Sequence, residues 1–185
     1  MVEPPMLRGI APKPIVQIAW SVDDVDAAVD RWTKAFGVGP FFVLRHVQFK
    51  TTSYRGRPFK FDHSAAFAQW GAFQIELMQQ HGDYPSMLRD VCPAGETKVV
   101  SYSWFVDDLD AETQRMNALG FETAYTGIGI DFDLRESWFD TRQILGAMVE
   151  VYQENPIARI ACQKIADEAT KWDGKRPLRS FEELQ

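Results

Sequence analysis

The chain has 185 residues, with 20 Lys plus Arg against 26 Asp plus Glu and a formal charge of −6. This acid excess argues against a nucleic-acid binder, which needs a basic footprint, and against docking to anionic lipid. At 45% hydrophobic and 13% aromatic residues the composition excludes disorder as the main state. No apolar run approaches the roughly 20 residues of a membrane span, no secretory pattern opens the chain, and Cys92 and Cys162 cannot build a disulfide framework. The expectation is a soluble, cytoplasmic, globular protein.

After a Pro-rich arm (residues 1–13), residues 15–22 read as a strand, rich in Ile, Val and Trp and bounded by aspartates. Asp23 or Asp24 can cap the helix that follows. Its stripe is Val25, Ala28, Val29, Trp32 and Phe36, and Gly37 ends it. Residues 40–49 and 61–69 read as strands around a polar hairpin at Thr51–Arg57, and 72–79 as a further strand. A linker with one helical turn runs over 81–96. A second set follows: strand 98–106, helix 109–119, and strands 121–126, 132–140 and 147–153. Thr126-Gly-Ile-Gly129 reads as a flexible turn. The segment after Pro156 reads as a helix with Ile157, Ile160, Ala161 and Ile165 on one face, and 173–185 as an extended surface arm.

The two sets are related. Ile18-Ala-Trp-Ser-Val-Asp-Asp-Val-Asp-Ala27 matches Tyr102-Ser-Trp-Phe-Val-Asp-Asp-Leu-Asp-Ala111, with Asp-Asp pairs starting at 23 and 107. Phe73-Gln-Ile-Glu-Leu-Met-Gln79 matches Ala147-Met-Val-Glu-Val-Tyr-Gln153. Matching strings in the same order mark an internal duplication. The fold class expected is α+β: two tandem βαβββ modules, 14–80 and 97–155, forming a cupped, partly closed barrel, with a C-terminal helix and tail over 156–185.

Strand parity assigns faces. Bulky sets such as Ile75 and Leu77, or Val149 and Val151, belong under the helices. The opposite faces carry Gln17, Glu76, Ser101 and Glu150, in equivalent strands of the two modules. Burying one unpaired carboxylate is costly, and two on one concave surface repel. A divalent cation can neutralise both, one glutamate can stay protonated and act as an acid or base, or the face can be wet and idle.

The βαβββ repeat, the Val-Asp-Asp turn and the fourth-strand Glu resemble the vicinal oxygen chelate superfamily over roughly residues 14–155. That group includes glyoxalase I, methylmalonyl-CoA epimerase, extradiol dioxygenases and bleomycin- and fosfomycin-resistance proteins. Ala35-Phe-Gly-Val-Gly-Pro-Phe41 and Phe139-Asp-Thr-Arg142 are similar to its glyoxalase-like subset. The resemblance implies metal ligands at Gln17, Glu76, Ser101 and Glu150. Ser101 stands where His is expected, and a hydroxyl is a poor ligand beside imidazole. An oxygen-rich set suits Mg²⁺ or Mn²⁺, with Ni²⁺ and Zn²⁺ as the other candidates.

His63 is placed to enter the cavity beside Ala65 and Phe67, His46 lies on the preceding strand, and His81 follows the Glu76 strand. Phe67, Phe105, Met148 and Tyr152 would give an apolar, aromatic, substrate-binding wall. Arg55, Arg57 and Lys60 cluster at the hairpin, where they either hold an anionic tail or are merely solvated. Cys92 has no base motif to activate it. The resemblance implies a lyase or isomerase of a small oxygenated organic molecule, with metal-assisted proton transfer next to a carbonyl, Glu150 as base and Glu76 as ligand. A metal-free binder of an apolar compound is the alternative. A ring-cleaving dioxygenase is a third reading, disfavoured by Gln17 and Ser101. By analogy alone, the chain is expected to form a homodimer.

Overall fold

The computed structural model describes residues 13–184, so most of the expected N-terminal arm lies outside them. Its elements are β1 (Gln17–Ser21), α1 (Val25–Phe36), β2 (Phe41–Leu44), β3 (Phe49–Tyr54), β4 (Arg57–Pro58), β5 (His63–Trp70), β6 (Phe73–Gln80), α2 (Met87–Val91), β7 (Lys98–Val106), α3 (Leu109–Ala118), β8 (Thr123–Gly129), β9 (Arg135–Phe139), α4 (Arg142–Leu145), β10 (Met148–Gln153), α5 (Pro156–Lys171) and β11 (Leu178–Ser180), then a 3-10 turn, Phe181–Leu184. Among these residues no helix is long and apolar enough to cross a membrane.

The duplication explains the local structure twice over. Asp24 accepts from the Ala27 amide at 2.9 Å, and Asp108 accepts from the Ala111 amide at 2.9 Å. Each caps its helix by satisfying an amide that the first turn leaves free. The last residue of each repeated strand string completes the cap. Gln79 Oε1 accepts from the Val25 amide at 3.1 Å, and Gln153 Oε1 from the Leu109 amide at 3.0 Å. The αL conformation of Gly37, with φ of 68°, ends α1.

All the strands form one sheet in the order β11-β2-β5-β6-β1-β7-β10-β9-β8-β3-β4. Antiparallel pairing of β1 with β7 joins the modules edge to edge. β3 belongs to the first module but pairs with β8 at the far edge of the second. Only residues 45–48 separate β2 from β3, a reach of at most about 18 Å. Laid flat, the eight strand spacings between them would span about 38 Å. The sheet must therefore curl, and it does so into a cup that β3 nearly closes.

Three expectations from the sequence are corrected here. The strand expected over 40–49 stops at Leu44, because His46 takes φ of 48° and turns the chain towards β8. Thr126–Gly129 lies within β8 and is not a turn. The final segment is docked: β11 pairs with β2, and Leu184 is buried against Phe42 and Ile165.

Apolar packing follows the parity argument. Val25, Ala28 and Val29 bury against Ile75 and Leu77, and Leu109 and Met116 against Phe139, Val149 and Val151. Each large side chain so buried contributes about 1.5–3 kcal/mol. One end of the cup is filled by a further core that includes Met78, Met148, Val100 and Trp138. Across the other end lies α5, turned about its axis from the expected phase. Ile157 and Ile160 face solvent, while Ala158 and Ile165 are buried. Ala161 and Ile165 of the expected face do turn inward, joined by Ala158 and Cys162, and the helix lies close over the sheet, its Cys162 carbonyl accepting from Gln74 Nε2 at 3.2 Å.

Candidate active site

The curled sheet encloses a cavity of about 140 Å³, roofed by Ala158, Ala161, Cys162 and Ile165 of α5. Gln17, Glu76 and Glu150 line it, as do His63, Phe67, Phe105 and Tyr152. The strand register brings them together. Glu76 on β6 lies beside Ala19 on β1, and Glu150 on β10 lies beside Ser103 on β7, the same arrangement in each module. Glu76 is 4% exposed and Glu150 3%.

Two other expected residues sit elsewhere. Met148 packs in the core at the filled end of the cup, because its register partner on β7 is Ser101, two pairs along from Ser103. Ser101 is fully buried and donates to Glu150 Oε2 at 3.2 Å.

The two glutamates are bonded unequally. Glu150 Oε2 also accepts from Ser103 Oγ at 2.8 Å. Burial holds the Glu150 carboxyl above its ordinary value, and the hydroxyls of Ser103 and Ser101 oppose that shift. Glu76 Oε2 is buried with no partner. Burial, and then the neighbouring Glu150 and Glu136, hold the Glu76 carboxyl well above the usual carboxylate range. Both carboxyls are raised, Glu76 further than Glu150, a difference of the kind that separates an acid from a base.

Glu136 on β9 is a third carboxyl that the sequence reading did not single out. It lines the same cavity, and burial followed by repulsion from Glu150 pushes it well above the ordinary value. The signal was available in the parity of Phe132, Leu134, Glu136 and Trp138, a charge set in an otherwise apolar stripe. Gly127, its partner on β8, leaves room for it. A Cβ there would stand 2.8 Å from the Tyr125 hydroxyl and 3.0 Å from Glu136 Oε1.

His63 is buried and neutral, its imidazole pushed down to about 3 by burial. Its ring stacks on Phe61 at 4.3 Å and on Phe49 at 5.8 Å. The Tyr152 hydroxyl donates to Gln17 Oε1 at 2.8 Å. Burial, then the surrounding glutamates, keeps that phenol protonated.

The resemblance places a metal among Gln17, Glu76, Ser101 and Glu150, and the donors do not suit it. Gln17 Oε1 is taken by Tyr152. Ser101 acts as a donor to Glu150. Glu150 Oε2 accepts two hydroxyls, which leaves Glu76 Oε2 as the buried oxygen without a partner. A hard cation needs six or more oxygens, and a transition metal prefers imidazole here.

Outside the cavity, His46, Asp62 and His81 form the one group of three His, Cys, Asp or Glu residues, among those described, whose ligand atoms lie within 4.8 Å of one another. His46 Nδ1 lies 2.7 Å from Asp62 Oδ1, and His81 Nε2 lies 2.8 Å from Ser64 Oγ. Two imidazoles and a carboxylate are a recognised ligand set for a divalent metal.

The hairpin cations are not a ligand grip. Arg55 is saturated by Asp90 at 2.7 Å, Glu122 at 2.6 Å and Asp140 at 3.0 Å. Arg57 and Lys60 are exposed.

A family model described as the glyoxalase/bleomycin resistance protein/dioxygenase superfamily matches residues 16–138. The chain belongs to that superfamily. Solved structures share its fold. Methylmalonyl-CoA epimerase from Mycobacterium tuberculosis aligns with a TM-score of 0.52 at 16% identity, covering 82% of this chain and 97% of the epimerase. A variant of the Streptomyces coelicolor methylmalonyl-CoA epimerase, in complex with 2-nitronate-propionyl-CoA, gives 0.52 at 14% identity, covering 80% and 98%. A hypothetical protein from Bacillus halodurans C-125 gives 0.54 at 12% identity, covering 78% and 96%. No curated protein sequence matches this chain.

Proposed function

We propose that this superfamily member is an isomerase or lyase that moves a proton at carbon next to a carbonyl in a small organic molecule. The observation that carries the reading is the unequal bonding of Glu76 and Glu150 within one cavity. Glu150, whose charge is supported by hydroxyl groups, is the base that removes the proton. Glu76, which favours the protonated form, faces the same space and donates a hydrogen bond or a proton to the developing enolate oxygen. The neutral imidazole of His63 and the Tyr152 phenol are further donors along the wall. Chemistry of this kind is consistent with the epimerase names among the fold's relatives. It assigns Glu76 an acid role in place of the ligand role expected from the resemblance, because its burial beside Glu150 and Glu136 supports protonation.

The α5 roof and the aromatic wall favour a second reading, a binding protein for an apolar compound. One experiment separates the two. The protein is incubated in D₂O with a panel of ketones, aldehydes and thioesters, and deuterium entry at the α-carbon is followed by ¹H NMR. The enzyme reading expects exchange that falls about 10²–10⁴-fold in Glu150→Gln. Binding without exchange on any member of the panel would leave the binder.

A further inference from the structure

The cavity is lined by carboxyl groups and by no cation. Glu76, Glu136, Glu150 and Asp131 line it, and among the described residues no lysine or arginine does. Cations in the vicinity are engaged elsewhere. Arg159 of α5 lies over the Phe105 ring at 4.0 Å and pairs with Glu154 at 2.7 Å. Lys164, also on α5, donates to the Leu184 carbonyl at 2.6 Å. Leu44, Phe67, Phe132, Leu134 and Phe181 supply an apolar lining.

An anionic ligand entering this space would shed its hydration, gain no counter-ion, and meet carboxyl groups at close range. Burying a charge without a partner is strongly unfavourable, and repulsion from the Glu150 carboxylate adds to that cost. A neutral ligand with an apolar body meets none of these penalties and gains from the area it buries.

Resting on the proton-transfer reading of the site, we infer that the substrate is an uncharged molecule with an aromatic or alicyclic body and a carbonyl that reaches the glutamates, and that carboxylate- and phosphate-bearing substrates are rejected. The inference adds a substrate class that neither the fold nor the superfamily specifies.

The test compares a pair that differs in charge and little else: methyl 4-acetylbenzoate and 4-acetylbenzoate. Binding of each to the full chain at pH 7.5 is measured by ligand-observed NMR and tryptophan fluorescence. The neutral ester is expected to bind at least tenfold more tightly than the acid. Phe132→Arg, which places a cation in the cavity from the β8–β9 loop, is expected to narrow or reverse that ratio. Equal or tighter binding of the carboxylate by the unsubstituted protein, or no binding of the ester up to its solubility, overturns the inference whether or not the variant folds. The acetyl methyl protons report separately on chemistry. An ester that binds without deuterium exchange counts against proton transfer and leaves the substrate class standing.

Discussion

Glu76 and Glu150 occupy equivalent positions in two copies of the same module, yet Glu150 Oε2 accepts hydrogen bonds from Ser101 and Ser103 while Glu76 Oε2 accepts none. Ser103 is the reason. Its counterpart in the first module is Ala19, which lies beside Glu76 and has no hydroxyl to offer. A duplication that began with equal halves has become an asymmetric pair through small residues on β1 and β7. That asymmetry underlies the proposed division into an acid and a base.

Arg55 ties three segments together, bonding Asp90 beyond the first module, and Glu122 and Asp140 in the second. Asp140 also pairs with Arg142, and hydrogen bonds from both guanidinium groups hold its carboxyl far below its usual range. Arg55→Met is expected to cost about 2 kcal/mol, since partly buried carboxylates lose a charged donor. Urea unfolding monitored by circular dichroism measures it. A change within about 0.5 kcal/mol would show the network to be no more than surface pairing.

Gly127 faces a space already taken by the Tyr125 hydroxyl and Glu136. Gly127→Ala is expected to lower stability by about 1–3 kcal/mol through overpacking and to weaken ligand binding as Glu136 is displaced. Thermal unfolding together with ligand titration checks both. A variant as stable as the parent would mean that β8 shifts freely.

His63 is held neutral in the folded protein, down to about 3, against an ordinary value of 6.5. Between those values the unfolded chain binds a proton that the folded chain refuses. The stabilising contribution is therefore complete above about 6.5 and is lost as pH falls towards 3. His63→Gln is expected to lessen the loss of stability across that window, and the ring of His63 is expected to show no titration between pH 5 and 8 by NMR. A ring titrating near neutrality would place it in water.

Zn²⁺ or Ni²⁺ titrated into the protein is expected to bind at His46, Asp62 and His81 and not among the cavity glutamates. Calorimetry should show binding lost in His81→Ala and retained in Glu150→Gln. The reverse result would restore the superfamily's usual metal centre to this chain.

Much of this was legible in the residues. The repeated Asp-Asp strings specified both helix starts, and strand parity put Gln17, Glu76, Ser101 and Glu150 on one face. What escaped was set by distant partners. The departure of β3 to β8 depends on one left-handed residue, His46, and on an edge strand more than 70 residues later in the chain, neither of which leaves a local pattern. The phase of α5 was ambiguous because Ile157 and Ile160 extend the stripe of Ala161 and Ile165 as well as Ala158 and Cys162 do. Only the closeness of the sheet beneath favours the smaller pair. Met148 shares the parity of Glu150, and parity alone does not reveal which end of a cup is filled with core.

The central claim is that Glu76 holds its proton more tightly than Glu150 does. Carbon-13 NMR of protein labelled at the glutamate side-chain carboxyl, assigned with Glu76→Gln and Glu150→Gln, reads both directly. The account predicts that the signal lost in Glu76→Gln stays in the protonated position to a higher pH than the signal lost in Glu150→Gln. A Glu76 signal that titrates in the ordinary carboxylate range would contradict it.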